Sequence, residues 1–396
     1  MMAALMALNA LAIDAMLPAL PQISGDLLAS AGNGRQYIIS LYLVGLGIGS
    51  LVHGPLADRF GRRSIILIAL GGYILSAMAS GLASNWHLLL TMRVIHGLFG
   101  AAMGVVATAI VRDRSDGDEM AKLMSMIFIV FMAVPIIAPT VGQAVMLVAE
   151  WRWIFLLLAV MGGVMAAWVA LRLPETLNPA DVQPIAIGPL LASWRTIAFH
   201  RHAGGYVLAS GISTGGLFGF LNSSQQIFDK VFGQAAIFPI AFACISITIA
   251  VANFSNSRIV LKYGARRVSQ SALCGFICLS IAQWIAAGSG ETMVTFLILI
   301  ALNMSMIGFI GANFSSIAME PFGHVAGAAA SFQNAARTLI SAGIGAGIGQ
   351  MFNGTTAPLA MGFLACGVVS LGIILWAEHG RLFTRPNPPH RPIPRS

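Results

Sequence analysis

Charge is scarce in this chain: 9% of its 396 residues are Asp, Glu, Lys or Arg, where a soluble domain carries about a quarter. A water-soluble globule of this length is thereby excluded. Cysteine is scarcer still. The four present, Cys244, Cys274, Cys278 and Cys366, all fall in apolar runs. Cys274 and Cys278 share a helix face at i,i+4. No third ligand stands near, so they read as small apolar residues rather than a metal or redox pair. Nucleotide-binding signals are missing too. The glycine-rich Gly343 to Gly349 lacks a G-K-[ST] ending and follows no strand. Gly211-Ile212-Ser213-Thr214-Gly215 has the spacing of a hydrolase nucleophile, yet it lies inside an apolar run with no acid to orient a histidine. The expectation is a protein that is not an enzyme, holds no metal or cofactor, and draws any energy from an ion gradient.

What is present is apolar length. Hydrophobic residues make up 57% of the chain, and its mean hydropathy is +0.83. A membrane-spanning helix needs roughly 20 apolar residues. Twelve such runs can be marked: 2–20, 36–56, 64–84, 87–111, 121–148, 153–172, 204–222, 236–256, 268–288, 292–314, 324–351 and 356–377. They predict an all-α integral membrane protein of twelve transmembrane helices in two pseudo-symmetric six-helix bundles. The net charge of +8 is not a nucleic-acid signal, because the basic residues sit in loops between the runs. Arg59, Arg62, Arg63, Arg112, Arg114, Arg266 and Arg267 all fall on one side, with the basic tail. Only Arg35, Arg152 and Lys230 fall in loops on the other side. That asymmetry predicts a multi-pass protein of a bacterial inner membrane with both termini cytoplasmic. Met1 to Leu20 lack a basic leading region and carry Asp14, so they read as a first span rather than a signal peptide. Their abrupt opening leaves room for a start upstream of Met1.

The spans divide six and six. The expected units are an N-terminal bundle over 1–172, a cytoplasmic loop over 173–203, a C-terminal bundle over 204–377 and a basic, proline-rich tail over 378–396. The loop holds Pro174, Pro179, Pro184 and Pro189, then an amphipathic stretch, Leu190 to Phe199, suited to the membrane surface. An internal echo supports the division: Phe60-Gly61-Arg62-Arg63 after span two returns as Tyr263-Gly264-Ala265-Arg266 after span eight. Leu261 stands where the first copy has Asp58, so full gating chemistry is expected of the first copy alone.

Within the spans, ionisable residues are the functional candidates. Asp14 is the one acid placed deep in a span. A carboxylate there is costly to keep charged, which makes it a candidate proton carrier, or else half of a fixed ion pair. Helix-end counting puts Arg93 at a similar depth, about 10 Å from its own helix end, as the expected partner. His96 shares the Arg93 face and reads either as a proton relay or as a structural histidine. Arg337 has no intramembrane acid in its own half. It must face the central cavity, pair with Asp14 across the halves, or bond backbone carbonyls. One acid against two arginines predicts neutral, zwitterionic or anionic substrates rather than bulky cations. Pro135, Pro139 and Gly142 in span five predict a hinge or a fixed kink. Gly45, Gly49, Gly343 and Gly347 predict packing seams. Tyr42, Asn222, Gln225 and Gln333 are candidate cavity residues by polarity alone.

The stretch Gly54-Pro55-Leu56-Ala57-Asp58-Arg59-Phe60-Gly61-Arg62-Arg63 resembles, almost letter for letter, the loop signature G-x-L-A-D-R-x-G-R-R of the major facilitator superfamily. Asp14 to Pro21 and Arg93-Val94-Ile95-His96-Gly97 resemble the first- and fourth-helix signatures of its bicyclomycin- and chloramphenicol-resistance (Bcr/CflA) drug:proton antiporters, with His96 in place of the usual glutamine. Pro139 and Gly142 match part of the antiporter signature, where Ala138 and Gln143 replace two glycines. Trp151 to Phe155 and Leu173-Pro174-Glu175-Thr176-Leu177 are similar to features bracketing the sixth helix. The resemblance covers nearly the whole chain. It implies proton-coupled efflux of small drugs by a functional monomer in the lipid bilayer, with small-molecule drugs and protons as ligands and no nucleic acid. It also implies that Asp14 and Arg93 take part in coupling. The Asp58 loop would then latch the cytoplasmic side near helix eleven and Arg112, with Asp113 and Asp116 available to Arg62 and Arg63. A proton-linked importer would share most of these features. A non-transporting sensor would carry an added soluble domain, which the short tail does not resemble.

Overall fold

The computed structural model describes residues 1–27, 33–115, 117–179, 182 and 187–384; Asp116, Pro184 and the tail beyond 384 lie outside them. The described residues are helical or irregular, with no strand among them. Twelve long helices follow the twelve apolar runs. They are α1 (Met2–Leu27, interrupted after Asp14), α2 (Tyr37–Phe60), α3 (Arg62–Gly81), α4 (Trp86–Arg114), α5 (Gly117–Val148) and α6 (Arg152–Arg172). After a short connecting helix, Ile187–Phe199, come α7 (Arg201–Gln226), α8 (Phe238–Tyr263), α9 (Ala265–Gly288), α10 (Met293–Met319), α11 (Ala326–Gln350) and α12 (Ala357–Ala377).

Local chemistry sets the boundaries. Asn85 begins α4 by accepting the Leu88 N–H at 2.9 Å, and Thr292 begins α10 by accepting that of Thr295 at 3.2 Å. The echo in the sequence is an echo in the backbone: Gly61 joins α2 to α3 at φ 93°, ψ 148°, and Gly264 joins α8 to α9 at φ 86°, ψ 148°. That conformation strains any residue with a Cβ, which explains why glycine stands at both turns. The first helix differs most from expectation, running on to Leu27 instead of stopping near Leu20. Pro18 and Pro21 cannot donate to the carbonyls four residues back, so the chain tightens to 3-10 geometry over Leu17–Ala19 and then resumes.

Large apolar side chains face outward along the helices, among them Ile68, Leu75, Val164, Leu171, Ile240 and Val251, each more than half exposed. In a soluble protein that surface would aggregate; around a helical bundle it is the face that hydrocarbon covers. Ten of the twelve long helices are apolar enough to cross a membrane by length and composition. The exceptions, α7 and α11, are rich in glycine, serine and amides, and they pack inward against each other. Three turns of α7 glycine receive three turns of α11 isoleucine: Gly211 against Ile340, Gly215 against Ile344 and Gly219 against Ile348. A Cβ at Gly215 would stand 2.6 Å from Ile344. The G-x-S-x-G spacing is therefore a packing seam.

Gly45 and Gly49 are seams as expected, pressed on the backbone of α4 at Val94 and Leu98. Gly343 and Gly347 are not. A Cβ on either would meet nothing within 4 Å, while Gly345 and Gly349 on another face of α11 meet Phe218 and Gln36. The first six helices and the last six meet along α2–α11 and α5–α8. The connecting helix packs Ile197 against Ala203, Phe322 and Ala329 and leaves Leu191 and Phe199 exposed.

Candidate functional site

Asp14 is the last residue of the first segment of α1, and its neighbourhood is built by backbone approach. Gly142 of α5 lies so close to α1 that a Cβ there would run into the carbonyl oxygen of Ala15. Pro135 and Pro139 lie inside the same unbroken helix. Asp14 itself is 5% exposed, and its carboxylate has no ion pair and no hydrogen bond among the described residues.

The expected Asp14–Arg93 pair is not formed in this structure. Arg93, with no exposure at all, spends its guanidinium on neutral acceptors. Its Nε donates to Ile38 O at 3.0 Å, Nη2 to Ala12 O at 3.0 Å and Nη1 to His96 Nδ1 at 3.1 Å. Its Cζ lies 4.4 Å from the Tyr42 ring centroid, a favourable cation–π contact. The shared depth holds, since Ala12 is two residues from Asp14. What helix-end counting lacks is direction, and the fork turns to backbone oxygens. Because His96 Nδ1 accepts from a group that can only donate, the ring proton sits on Nε2. That atom is buried without a partner, with the ring wedged between Tyr42 and Tyr73. The arrangement gives His96 no onward hydrogen bond through which to relay.

Tyr42 is fully buried and donates to Asn9 Oδ1 at 2.7 Å, and Asn9 Nδ2 donates in turn to Gly100 O at 2.9 Å. It ties α1, α2 and α4 together and does not line an open cavity. Asn222 is also misplaced by polarity alone. Its Nδ2 donates to Ser40 Oγ at 3.1 Å in a lattice of amides at the end of the bundle far from Asp58. There Asn33 Nδ2 donates to Gln350 O at 2.8 Å and Phe352 O at 2.9 Å, while Gln350 Nε2 returns a bond to Asn33 O at 2.8 Å. Gln226 meets Gln36 at 2.6 Å, and with its amide oxygen turned to Arg35 it accepts from Nη2 at 3.0 Å and Nε at 3.1 Å. The lattice joins the start of α2 to the ends of α7 and α11 across the two halves at that end of the bundle. Gln225 lies beside it, buried, with Oε1 unpartnered. Gln333 and Arg337 stand on α11 away from both ends.

The opposite end is charged. Arg62, 3% exposed, takes Asp58 at 2.5 Å and Asp113 at 2.9 Å. Glu175, whose role the sequence did not reveal, accepts the backbone N–H groups of Arg62 and Arg63 at 2.9 and 3.1 Å and so caps α3. Burial works to raise its pKa, but four backbone N–H donors outweigh that and hold it below the ordinary 4.5. Arg63 donates to Ala170 O at 2.7 Å. Arg59 lines a surface hollow of about 420 Å³ with Phe60, Gly61, Arg63 and Glu175. A Cβ on Gly54 would meet Val105 at ordinary van der Waals distance, so no close approach requires glycine there. Arg112 forms no ion pair with Asp58 among the described residues; it reaches toward Gly327 in the first turn of α11, where a Cβ would lie 3.6 Å from its Nη1.

The second copy carries more chemistry than expected. Arg266 takes Glu320 with two donors, at 2.7 and 3.2 Å, and Glu378 at 2.9 Å, with His202 Nε2 at 2.9 Å. Glu378 lies 203 residues after Glu175, the offset that also relates Arg266 to Arg63 in the sequence echo, but it accepts from the Arg266 side chain where Glu175 accepts from backbone N–H groups. The repeat spacing was the signal that could have found both.

The sequence profile of the Major Facilitator Superfamily matches residues 2–346. The chain is 31% identical over 332 residues to an uncharacterized MFS-type transporter, YdgK, of Bacillus subtilis, covering 82% of this chain and 81% of that one. It is 28% identical over 369 residues to a bicyclomycin resistance protein homolog of Haemophilus influenzae, covering 91% and 90%. It is also 27% identical over 389 residues to the multidrug resistance protein MdtL of Shigella dysenteriae, covering 96% and 95%. Among solved structures, a D-xylose-proton symporter superposes with a TM-score of 0.74 at 13% identity, covering 94% of this chain and 95% of that one, a likeness of fold alone.

Proposed function

The chain belongs to the Major Facilitator Superfamily, and from that premise we propose that it exports small drugs across the bacterial inner membrane in exchange for protons. The observation that carries the coupling is Asp14: a nearly buried carboxylate with no partner among the described residues, beside the break in α1 and the glycine contact with α5. A carboxylate so placed has two states of very different cost, charged and protonated. It is therefore sensitive to a proton or a ligand arriving in the interior. Two relatives named for drug resistance, aligned over nine-tenths or more of the chain, support the choice of small drugs as cargo.

The positive-inside rule puts the charged end in the cytoplasm and the amide lattice outside. The structure then corresponds to a conformer closed to the exterior. In the working cycle, Asp14 loses its proton inward, substrate enters from the cytoplasmic side, and the halves rock about the α2–α11 and α5–α8 contacts until the amide lattice opens. Arg93 stabilises the neighbourhood of the charged acid without pairing with it in this conformer. Arg62 and Arg266 hold the cytoplasmic helix ends as rigid units.

Accumulation of chloramphenicol and florfenicol in pump-deficient cells expressing the chain tests the reading. Low accumulation that rises when a protonophore collapses the gradient is expected. Accumulation equal to that of control cells, with the protein confirmed in the membrane, contradicts it. A proton-linked importer would instead raise uptake of a metabolite.

A further inference from the structure

Two polar groups with donors unpartnered among the described residues share one face of α11. Gln333 and Arg337 are four residues apart, so their side chains are neighbours one turn from each other. Gln333 is 5% exposed, and its Nε2 meets no acceptor. Arg337 makes no ion pair and no hydrogen bond among the described residues. The packed surfaces of α11 are occupied by others: Ile340, Ile344 and Ile348 fill the α7 seam, and Leu339 meets Gly47 of α2. Arg337 nonetheless keeps intermediate exposure at mid-helix in the interior. Its guanidinium meets no acceptor among the described residues, in contrast to Arg93, which has no exposure and is bonded to two backbone oxygens and His96.

Both groups donate only or can donate: the guanidinium offers five N–H bonds in a planar fork, the amide two more. What they lack is an acceptor. An arginine kept in the interior without a carboxylate or carbonyl is costly, and no ion pair or hydrogen bond among the described residues offsets that cost. We infer that Gln333 and Arg337 recognise an anionic, acceptor-rich group of the transported molecule, a carboxylate above all. The guanidinium takes two oxygens in a fork, and the Gln333 amide adds a third donor from one turn toward the start of α11. Asp14, on the other half and equally without partner, meets the proton or a donor group of the same molecule. The cargo is thus a small amphiphilic acid or zwitterion, and a bulky monocation is disfavoured by Arg337. This inference rests on the reading that the interior takes up a small drug.

The test is binding to the purified full chain in nanodiscs, by equilibrium dialysis. The probes are nalidixic acid, ciprofloxacin and fusidic acid, each compared with its methyl ester. At least one acid is expected to bind about tenfold more tightly than its ester, the discrimination of one charge-assisted contact. Arg337→Gln should erase that preference, Arg337→Lys should retain part of it, and Gln333→Leu should weaken the acid alone. Melting without ligand separates recognition from structure: Arg337→Gln should melt at or above the wild-type temperature, since no protein bond is lost. No acid preferred by the wild type, a preference that survives Arg337→Gln, or a lowered melting temperature in that variant overturns the assignment. Chloramphenicol accumulation in cells addresses the export reading separately. Acid selectivity in nanodiscs without cellular export leaves this site standing, and export without acid selectivity removes this site alone.

Discussion

Arg93 and Asp14 are two ionisable residues at one depth with opposite fates. Arg93 is spent on Ile38, Ala12 and His96, so its work is to hold α4 against α1 and α2. A lysine cannot offer a fork to three acceptors. Arg93→Lys is expected to lower the melting temperature of the purified protein, with a loss of about 1.5–3 kcal/mol for each charge-assisted hydrogen bond the lysine does not remake. An unchanged melting temperature would remove the structural role. Asp14→Asn, in contrast, keeps shape and loses charge where no protein bond is broken. Its folding should be unaffected while drug resistance at equal expression falls to that of control cells. The sequence made Asp14 legible because a lone acid in an apolar run is conspicuous. It did not reveal where Arg93 points, because period and depth fix a residue's level and not which neighbour its side chain meets.

At the scale of elements, two glycines give opposite forecasts. Gly142→Ala forces α5 away from the Ala15 carbonyl and should reduce both melting temperature and drug export. Gly343→Ala, on α11, adds a methyl to open space and should leave both intact. Measuring the two variants side by side checks the distinction, and equal effects would contradict it. The sequence marked Gly343 and Gly347 as a seam because glycine spacing alone does not say which helix face is covered.

The cap on α3 has a pH signature. Glu175 is held below its ordinary 4.5 in the folded protein, so its stabilising contribution is present above that value and fades as pH falls through the lowered one. Glu175→Gln should therefore melt below wild type at neutral pH, and the gap should close as the medium is acidified below the ordinary carboxylate range. A gap independent of pH would assign the effect to something other than charge. The sequence drew attention to the motif around Glu175 but not to its cap on α3, because Arg62 and Arg63 lie over a hundred residues away in the chain.

At the scale of the whole molecule, the twelve helices were legible almost to their ends, because hydrocarbon thickness imposes a length that composition reports directly. The two least apolar, α7 and α11, were still found as spans, and their glycine and amide content now has a cause in the α7 seam and the amide lattice. The lattice itself was not legible: Asn33, Gln36, Gln226 and Gln350 lie at run ends where polar residues need no explanation. The central claim is that the packed bundle couples drug movement to a proton through Asp14. The most direct test loads inverted membrane vesicles with acid by respiration and reads an acridine-orange signal as drug is added. A panel headed by chloramphenicol and the acids above should dissipate the gradient in vesicles bearing the wild-type chain and leave it intact with Asp14→Asn. Equal dissipation by both proteins, or none by the wild type for any drug, would contradict the account.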